Sequence, residues 1–500
     1  MRGGRVAVNA ALNLGAVVAP LLVAVVTLPI LIDGLGDARF GILAIAWMFL
    51  AYLSELGLGS TTTRYAAEAV GAGRLGELGA IAWTTAGLQL AIGVMEGVAL
   101  AALTPWLVKG VLNIPPELHA EAMASLWLLA IAIPVAGLGK SFRGLVEGAQ
   151  RFDLALLVHL PATAGGYVLA AIAAQLGWPL PWVFGLIVLS RAVAFPAYLV
   201  AARRALPGVS LRPRWLGARL REMLGFAGWA SVSTIVSPLL VYLDRFMVGA
   251  LLSMTAVAYY AAPYEVVARL ALVPAGLVGA LYPAFSQLSG ERSRAEAETL
   301  AARSVNALVV LLAPILVLVL GGAADGLSLW LGPEYARQSA LALQILAIGA
   351  LANAAAHVPF GLLHGIGRPD LPARLHLLEL PLQLVLAWLL VSRYGIPGAA
   401  LAWTLRILLD TALLFAAAAR VGALRPRAFL GTPLPRTLAI SAAAGGAALA
   451  AAGAVGGTGA RLAAVTAIAV LAALALLAAG TTAPERRRLL ALLRPGARGG

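Results

Sequence analysis

Long apolar runs separated by short polar connections make up nearly the whole chain. Many exceed about 18 residues, the length an α-helix needs to cross the hydrocarbon core of a bilayer. The pattern predicts about 14 transmembrane helices, at roughly 8–32, 39–60, 78–105, 120–142, 154–176, 181–202, 223–251, 256–286, 304–322, 338–362, 372–392, 397–419, 435–453 and 462–480. The start "MRGGR" followed by an apolar run imitates a signal peptide, but the run is long and many more follow, so it reads as a retained first span. Connections are short, the longest near 203–222, which leaves no room for an inserted soluble domain. The expected class is an all-α integral membrane protein.

The polar punctuation repeats. "RGLVEGAQRFDLALLVHL", Arg143 to Leu160, aligns without gaps on "FGLLHGIGRPDLPARLHL", Phe360 to Leu377, at an offset of 217. Identities fall at Gly144, Leu145, Gly148, Arg151, Asp153, Leu154, His159 and Leu160. The same offset places Gly41 on Ala258 and Tyr65 on Tyr282. Six spans separate the copies, an even number, so both lie on one membrane face, as in a parallel repeat with its axis along the membrane normal. The expected organisation is two pseudo-symmetric six-helix lobes, 1–210 and 211–424, followed by two extra transmembrane helices and a basic tail, 425–500. A two-lobed repeat suggests alternating access along a path between lobes. Within the repeated segment, Gly148 and Gly365 are expected to end a helix or make a tight turn. Arg151 and Arg368, each with Asp two residues later, either brace the next helix or touch substrate.

Composition excludes a soluble enzyme. Hydrophobic residues are 61% and charged residues 12%, and the absence of cysteine removes disulfides and thiol chemistry. Lys and Arg set the orientation. One set of connections, with both ends of the chain, holds 27 of the 36 basic residues; the opposite set holds Arg39, Lys109, Arg337, Arg393 and Arg461; Arg191, Arg245, Arg269 and Arg406 fall within spans. Both termini are therefore expected on the cytoplasmic side. The net charge of +14 follows mostly from this asymmetry and from contact with anionic lipid, with little support for nucleic-acid binding.

The segment "LPILIDGLGDARFGILAIAWMFLAYLSELGLGSTTTRYAAE" carries Leu35–Gly36, Phe40–Gly41, Glu55 before Gly57–Leu58, and Arg64. "LDRFMVGALLSMTAVAYYAAPYEV" supplies Asp244, Arg245 and Gly249, and "GLLHGIGRPD" a Gly-rich loop. In order and spacing these resemble the bacterial polysaccharide and O-antigen flippases of the multidrug/oligosaccharidyl-lipid/polysaccharide exporter superfamily, over at least residues 9–420. The resemblance implies export of an undecaprenyl-pyrophosphate-linked oligosaccharide from the inner to the outer leaflet of the bacterial cytoplasmic membrane. It implies membrane lipids as partners, with polysaccharide polymerase and chain-length proteins as candidates. Rival readings are a multidrug antiporter of the same superfamily, a lipid II flippase and, from another class, an integral-membrane glycosyltransferase or ligase. The last would need catalytic acids and a large outer loop, and the connections near 106–119 and 323–337 are too small.

Candidate chemistry lies in charges within spans, which are costly and default to function. Glu265 and Arg269 share a helix face at i, i+4, and Arg406 and Asp410 repeat the spacing in reverse. Each pair either neutralises itself for insertion or lines the path. Arg269, held by Glu265 in the resting state, is the first choice for binding an anionic head. Arg191 has no acid at helical spacing, so it pairs across helices or meets an anion. Lys140 and His357 hold equivalent repeat positions and either flank an inner gate or snorkel. Glu55 and Glu96 are acids that could carry a coupling ion or only brace their helices. Ser231, Thr234 and Ser237, with Tyr242, and Asn9 with Asn13, suit either sugar hydroxyls or close helix packing. Pro263, Pro274 and Pro283 break one span. "GAGRLG", Gly71 to Gly76, fits a dinucleotide pattern but follows no strand, and no phosphate-cradling loop or metal-ligand spacing occurs. No cofactor or metal is expected.

Overall fold

The computed structural model describes residues 19–20, 22–53, 58–215, 239–240, 242–287, 291–425, 429 and 431–481. Glu55, Asn9, Asn13, Ser231, Thr234, Ser237 and both chain ends lie outside them. The described chain is helical throughout, with no strand among these residues. Ten of its helices are long and apolar enough to cross a membrane, and one of them carries two predicted spans. Leucine, isoleucine and valine stand widely exposed along these helices, as at Val98, Ile131, Leu378 and Leu471. In a bilayer such faces meet lipid, which has no reason to expel them. The chain is a multi-pass membrane protein.

It divides into two compact units, residues 1–258 and 259–500. In unit 1, α1 (Leu22–Leu35), α2 (Asp37–Leu53), α3 (Leu58–Gly71), α4 (Leu78–Trp106), α5 (His119–Gly148), α6 (Phe152–Gln175) and α7 (Leu180–Ala205) precede α8 (242–251). α4 packs along α5, and α5 along α7, which in turn packs on α6. Their core at the α5–α6 hairpin end holds Tyr65, Leu78, Ile81, Phe142, Leu145 and Tyr198. Trp83, Phe142 and Phe195 stack edge-on through it, at 5.1 and 5.7 Å between centroids. The Phe40–Gly41 pair has a packing reason. A Cβ at Gly41 would lie 1.8 Å from the Met254 carbonyl oxygen, so only glycine lets the two backbones meet.

Unit 2 contains α9 (Met254–Leu270, whose first turn lies in unit 1), α10 (Leu272–Gln287), α11 (Glu291–Leu331), α12 (Pro333–Gly365), α13 (Asp370–Arg420), α14 (Leu434–Ala454) and α15 (Thr458–Gly480). The predicted span at 256–286 is two helices with a turn at Ala271. Proline has no N–H to give to the carbonyl four residues back, and α9 stops at Leu270, four before Pro274. The span predicted at 304–322 is longer than expected. "ERSRAEAETLAAR" is rich in helix formers, so α11 begins at Glu291 and runs 41 residues, about 61 Å at ~1.5 Å per residue. The two spans predicted at 372–392 and 397–419 are the halves of α13, which turns at Gly395 (φ 61°, ψ −134°). α14 and α15 both pack on α11. Arg461 clasps Asp325 with two hydrogen bonds of 2.9 and 2.6 Å. Asn306 donates to the Gly480 carbonyl at 2.7 Å and accepts from Thr437 at 3.0 Å.

The repeated segment folds the same way in both units. The backbone N–H groups of Ala149, Gln150 and Arg151 donate to Leu145, Glu147 and Val146; those of Ile366, Gly367 and Arg368 donate to Leu362, His364 and Leu363. These partners are equivalent at the 217 offset. Arg151 then donates through Nε and Nη2 to Asp153 at 2.9 and 2.8 Å, and Arg368 to Asp370 at 2.9 and 3.1 Å. These bonds raise both guanidinium pKa values above their ordinary range, and they brace the start of the following helix. Gly148 and Gly365 are the last residues of α5 and α12, as expected, and the left-handed residue that closes each turn lies two positions further on, at Gln150 (φ 59°) and Gly367 (φ 78°). Gly148 is needed for a different reason: its Cβ would lie 2.7 Å from Ala66 Cβ, where α5 crosses α3.

Candidate functional site

In unit 1, α5, α6 and α7 gather basic side chains inside the apolar helices. Lys140, Arg143 and Glu147 follow one another at i+3 and i+4, which puts them on one face of α5. Arg143 lies five residues from the end of α5, ~7.5 Å in at ~1.5 Å per residue. Its Nε donates to Glu147 Oε1 at 2.7 Å, and its Nη1 meets His159 Nδ1 of α6 at 3.1 Å. Lys140, Arg143 and Arg191 all lie within electrostatic range of His159. Glu96 of α4 feels Lys140, and below it Ser141 donates to the buried Gln89 at 2.8 Å. Arg191 of α7 has the hydroxyls of Tyr167 and Tyr198 as its electrostatic neighbours. Among the described residues no carboxylate pairs with it. Glu147 therefore balances Arg143 and Glu96 lies within electrostatic range of Lys140, while Arg191 has no carboxylate to balance it among the described residues. A guanidinium in that position has a fork of donors that suits phosphate oxygens.

Unit 2 has a different polar feature. Two facing stripes run along the halves of α13: His376, Glu379 and Gln383 on the first, Trp403, Arg406 and Asp410 on the second. Arg406 Nη1 donates to Glu379 Oε2 at 3.2 Å, with the side chains 4% and 1% exposed. This corrects the expected pairing, because Arg406 is bonded to Glu379 and not to Asp410 one turn away. The reason is geometric: the chain reversal at Gly395 brings Glu379 opposite Arg406, a juxtaposition no local spacing contains. Asp410 Oδ1 instead faces His376 Nε2 at 3.6 Å. Gln383 Oε1 and Nε2, Glu379 Oε1, Arg406 Nε, Trp403 Nε1 and Asp410 Oδ1 are buried without a hydrogen-bond partner.

The remaining candidates fall in several places. Arg269 Nη2 donates to Glu265 at 2.7 Å on α9, and both side chains are about one-third exposed, 37% and 36%. His357 Nδ1 is bound to the Asn353 carbonyl at 2.8 Å, one turn back on its own helix. Lys140 joins the His159 cluster. Among the described residues no group of His, Asp and Glu has the proximity to hold a metal ion. Sequence reasoning missed Arg143, Glu147 and His159 as a group, although His159 was among the repeat identities. It also missed Glu379 and Gln383, although an acid inside the predicted span 372–392 was a visible signal. An apolar cavity of about 700 Å³ also opens in unit 2 among Val309, Ile348, Leu408, Phe415, Phe429 and Leu438.

Comparison with known proteins gives these residues a context. The family described as "Polysaccharide biosynthesis protein" matches residues 6–289, and the MatE family matches residues 230–389. A Shigella flexneri protein named "Putative O-antigen transporter" is 28% identical over 417 residues, covering 81% of this chain and 96% of its own. A Haloferax volcanii protein named "Probable low-salt glycan biosynthesis flippase Agl15" is 26% identical over 194 residues, 39% of this chain and 41% of its own. Among solved structures, the lipid II flippase MurJ in an inward closed conformation has a TM-score of 0.69 at 12% identity, covering 97% of this chain and 100% of that one. An inward-facing multidrug transporter of the MATE family has a TM-score of 0.66 at 16% identity, covering 81% and 94%. At these identities the two structures speak for the fold alone.

Proposed function

The chain belongs to the polysaccharide biosynthesis protein family, and on that premise we propose that it carries a lipid-linked oligosaccharide from the inner to the outer leaflet of a bacterial cytoplasmic membrane. It is a transporter of polysaccharide units, not an enzyme, in keeping with the transporter and flippase names of its relatives. The single observation that carries the lipid-linked, anionic cargo is Arg191, embedded in α7, within electrostatic range of His159 as Lys140 and Arg143 are, and without a carboxylate partner among the described residues. An uncompensated intramembrane charge is expensive, so it is kept for an opposite charge. A phosphate or diphosphate head supplies one. Within unit 2, Arg269, held by Glu265 at rest, is a separate candidate for an anionic group.

Physically the task is to carry a polar head across about 30 Å of hydrocarbon. An inside-negative potential assists outward movement of an anionic head by ~2.3 kcal/mol per charge per 100 mV. We place both termini and the connections at 61–77 and 203–222 on the cytoplasmic face, from the 27-to-5 split of basic residues. The repeat supports two six-helix lobes, 1–210 and 211–424, with 425–500 as an addition. Because the chain has no cysteine, a single cysteine at position 212 tests orientation. Labelling by an impermeant reagent in intact cells would reverse it.

The cargo reading is tested by Arg191→Ala and Arg269→Ala, each assayed for lipid-linked oligosaccharide accumulating on the inner leaflet. Arg191→Ala should stop export while the protein remains in the membrane. Normal export would remove the reading. The MatE match over 230–389 favours multidrug antiport as the second reading. Export of a cationic drug, unaffected by Arg191→Ala, would support it, although a cationic cluster repels such a cargo.

A further inference from the structure

The two copies of the repeat place a histidine at the same position, His159 and His376, and surround the two rings differently. In unit 2 the ring of His376 stacks on Phe360, 6.2 Å between centroids at 16°, and its Nε2 faces the Asp410 carboxylate at 3.6 Å. In unit 1 the residue equivalent to Phe360 is Arg143, which meets His159 Nδ1 at 3.1 Å. The residue equivalent to Asp410 is Val193, so the carboxylate that faces His376 has no counterpart at that position.

Resting on the cargo reading above, we infer that His159 is a fixed hydrogen-bond donor to a diphosphate oxygen of the cargo through Nε2–H, and that Arg143 is the positioning residue that fixes that tautomer. A guanidinium has five donors and no acceptor. Nδ1 of His159 must therefore accept, and the ring hydrogen sits on Nε2. Arg143 is itself held, because its Nε is engaged by Glu147 at 2.7 Å. Nε2 of His159 has no protein partner among the described residues. Lys140 and Arg191 set a positive field around the ring that favours an oxyanion over a neutral acceptor. In unit 2 the Asp410 carboxylate stands on the Nε2 side of His376, at 3.6 Å. In unit 1 the diphosphate takes the place that Asp410 holds in unit 2.

The experiment is nitrogen NMR on full-length protein in detergent, labelled at its five histidines, with the His159 signals assigned by their loss in His159→Gln. The expected result is a protonated Nε2 and a bare Nδ1, with the Nε2–H signal moved by inorganic pyrophosphate and by geranyl diphosphate. Phosphatidylglycerol vesicles should leave it in place; movement by vesicles as strong as by diphosphate would assign the contact to bilayer lipid and overturn the proposal. In diphosphate binding, His159→Gln, whose amide nitrogen replaces Nε2, should lose about threefold. His159→Asn, which replaces Nδ1, should lose about thirtyfold, the range for a hydrogen bond to a charged group. Arg143→Met should cost about tenfold alone and much less in the His159→Gln background, because Gln needs no tautomer set for it. A protonated Nδ1, equal losses in the Gln and Asn variants, or additive losses with Arg143→Met would overturn it. If Arg191→Ala stops export while diphosphate leaves the His159 signal unmoved, the donor role fails and the cargo reading stands. If Arg191→Ala exports normally, the cargo reading itself fails.

Discussion

Unit 1 and unit 2 carry the same hairpin turn and opposite solutions to charge inside a membrane. Where unit 1 has Arg143, Glu147 and His159, unit 2 has Phe360, His364 and His376, and an ionic triad becomes an aromatic stack with Phe360 4.2 Å from His364. Where unit 2 has Glu379, Gln383, Trp403, Arg406 and Asp410, unit 1 has Ala162, Gly166, Leu186, Leu189 and Val193. Arg191 in turn becomes Leu408. In unit 2 the buried guanidinium of Arg406 has a carboxylate of the chain itself, Glu379, as its partner. Unit 1 keeps a guanidinium, Arg191, that has no carboxylate partner among the described residues, and the cargo reading supplies its balance from outside the chain. Duplication fixed the scaffold, and the substitutions on it divided the work.

The largest effect expected from disturbing this contrast is in unit 2. Arg406→Ala leaves the neighbouring carboxyl groups of Glu379 and Asp410 buried without the guanidinium, a loss of about 3–5 kcal/mol. Thermal unfolding in detergent should show a large drop or no folded protein. The double change Arg406→Met with Glu379→Met should recover most of it, because apolar residues replace a buried pair at little cost. A double variant as unstable as the single one would show that the network specifies the fold in some other way.

A smaller effect follows from giving unit 1 the unit 2 residue. Arg191→Leu should leave thermal stability unchanged or slightly higher, since no carboxylate loses its partner. Export should fall about thirtyfold, which corresponds to ~2 kcal/mol of lost interaction with an anion. Lower stability with normal export would make Arg191 a structural residue and erase the contrast.

The smallest effect compares the two turns. Gln150 sits at φ 59°, where a side chain is strained, and Gly367 sits at φ 78°, where it is not. Gln150→Gly should stabilise unit 1, and Gly367→Ala should destabilise unit 2, each by about 1 kcal/mol. Equal signs from the two changes would mean that the turns differ in more than the residue at the left-handed position.

The sequence by itself determined the elements and their repetition. Apolar length fixes a spanning helix because the bilayer leaves its backbone no other partner, and the same local rule produced the hairpin twice from matching residues. It also located Arg191, Glu265 with Arg269, and Arg406 with Asp410 as charges inside spans. Tertiary structure alone decided the pairs that no local spacing contains. Glu265 holds Arg269 because their spacing is local. Arg406 bonds to Glu379, 27 positions away, because the turn at Gly395 folds one half of α13 against the other. Arg143 reaches His159 across two helices because Gly148 ends α5 and the Arg151–Asp153 brace starts α6 beside it. A charge in a membrane must be answered, and the sequence states the need. The partner is set by helix packing, which brings together residues that no period along the chain can bring together.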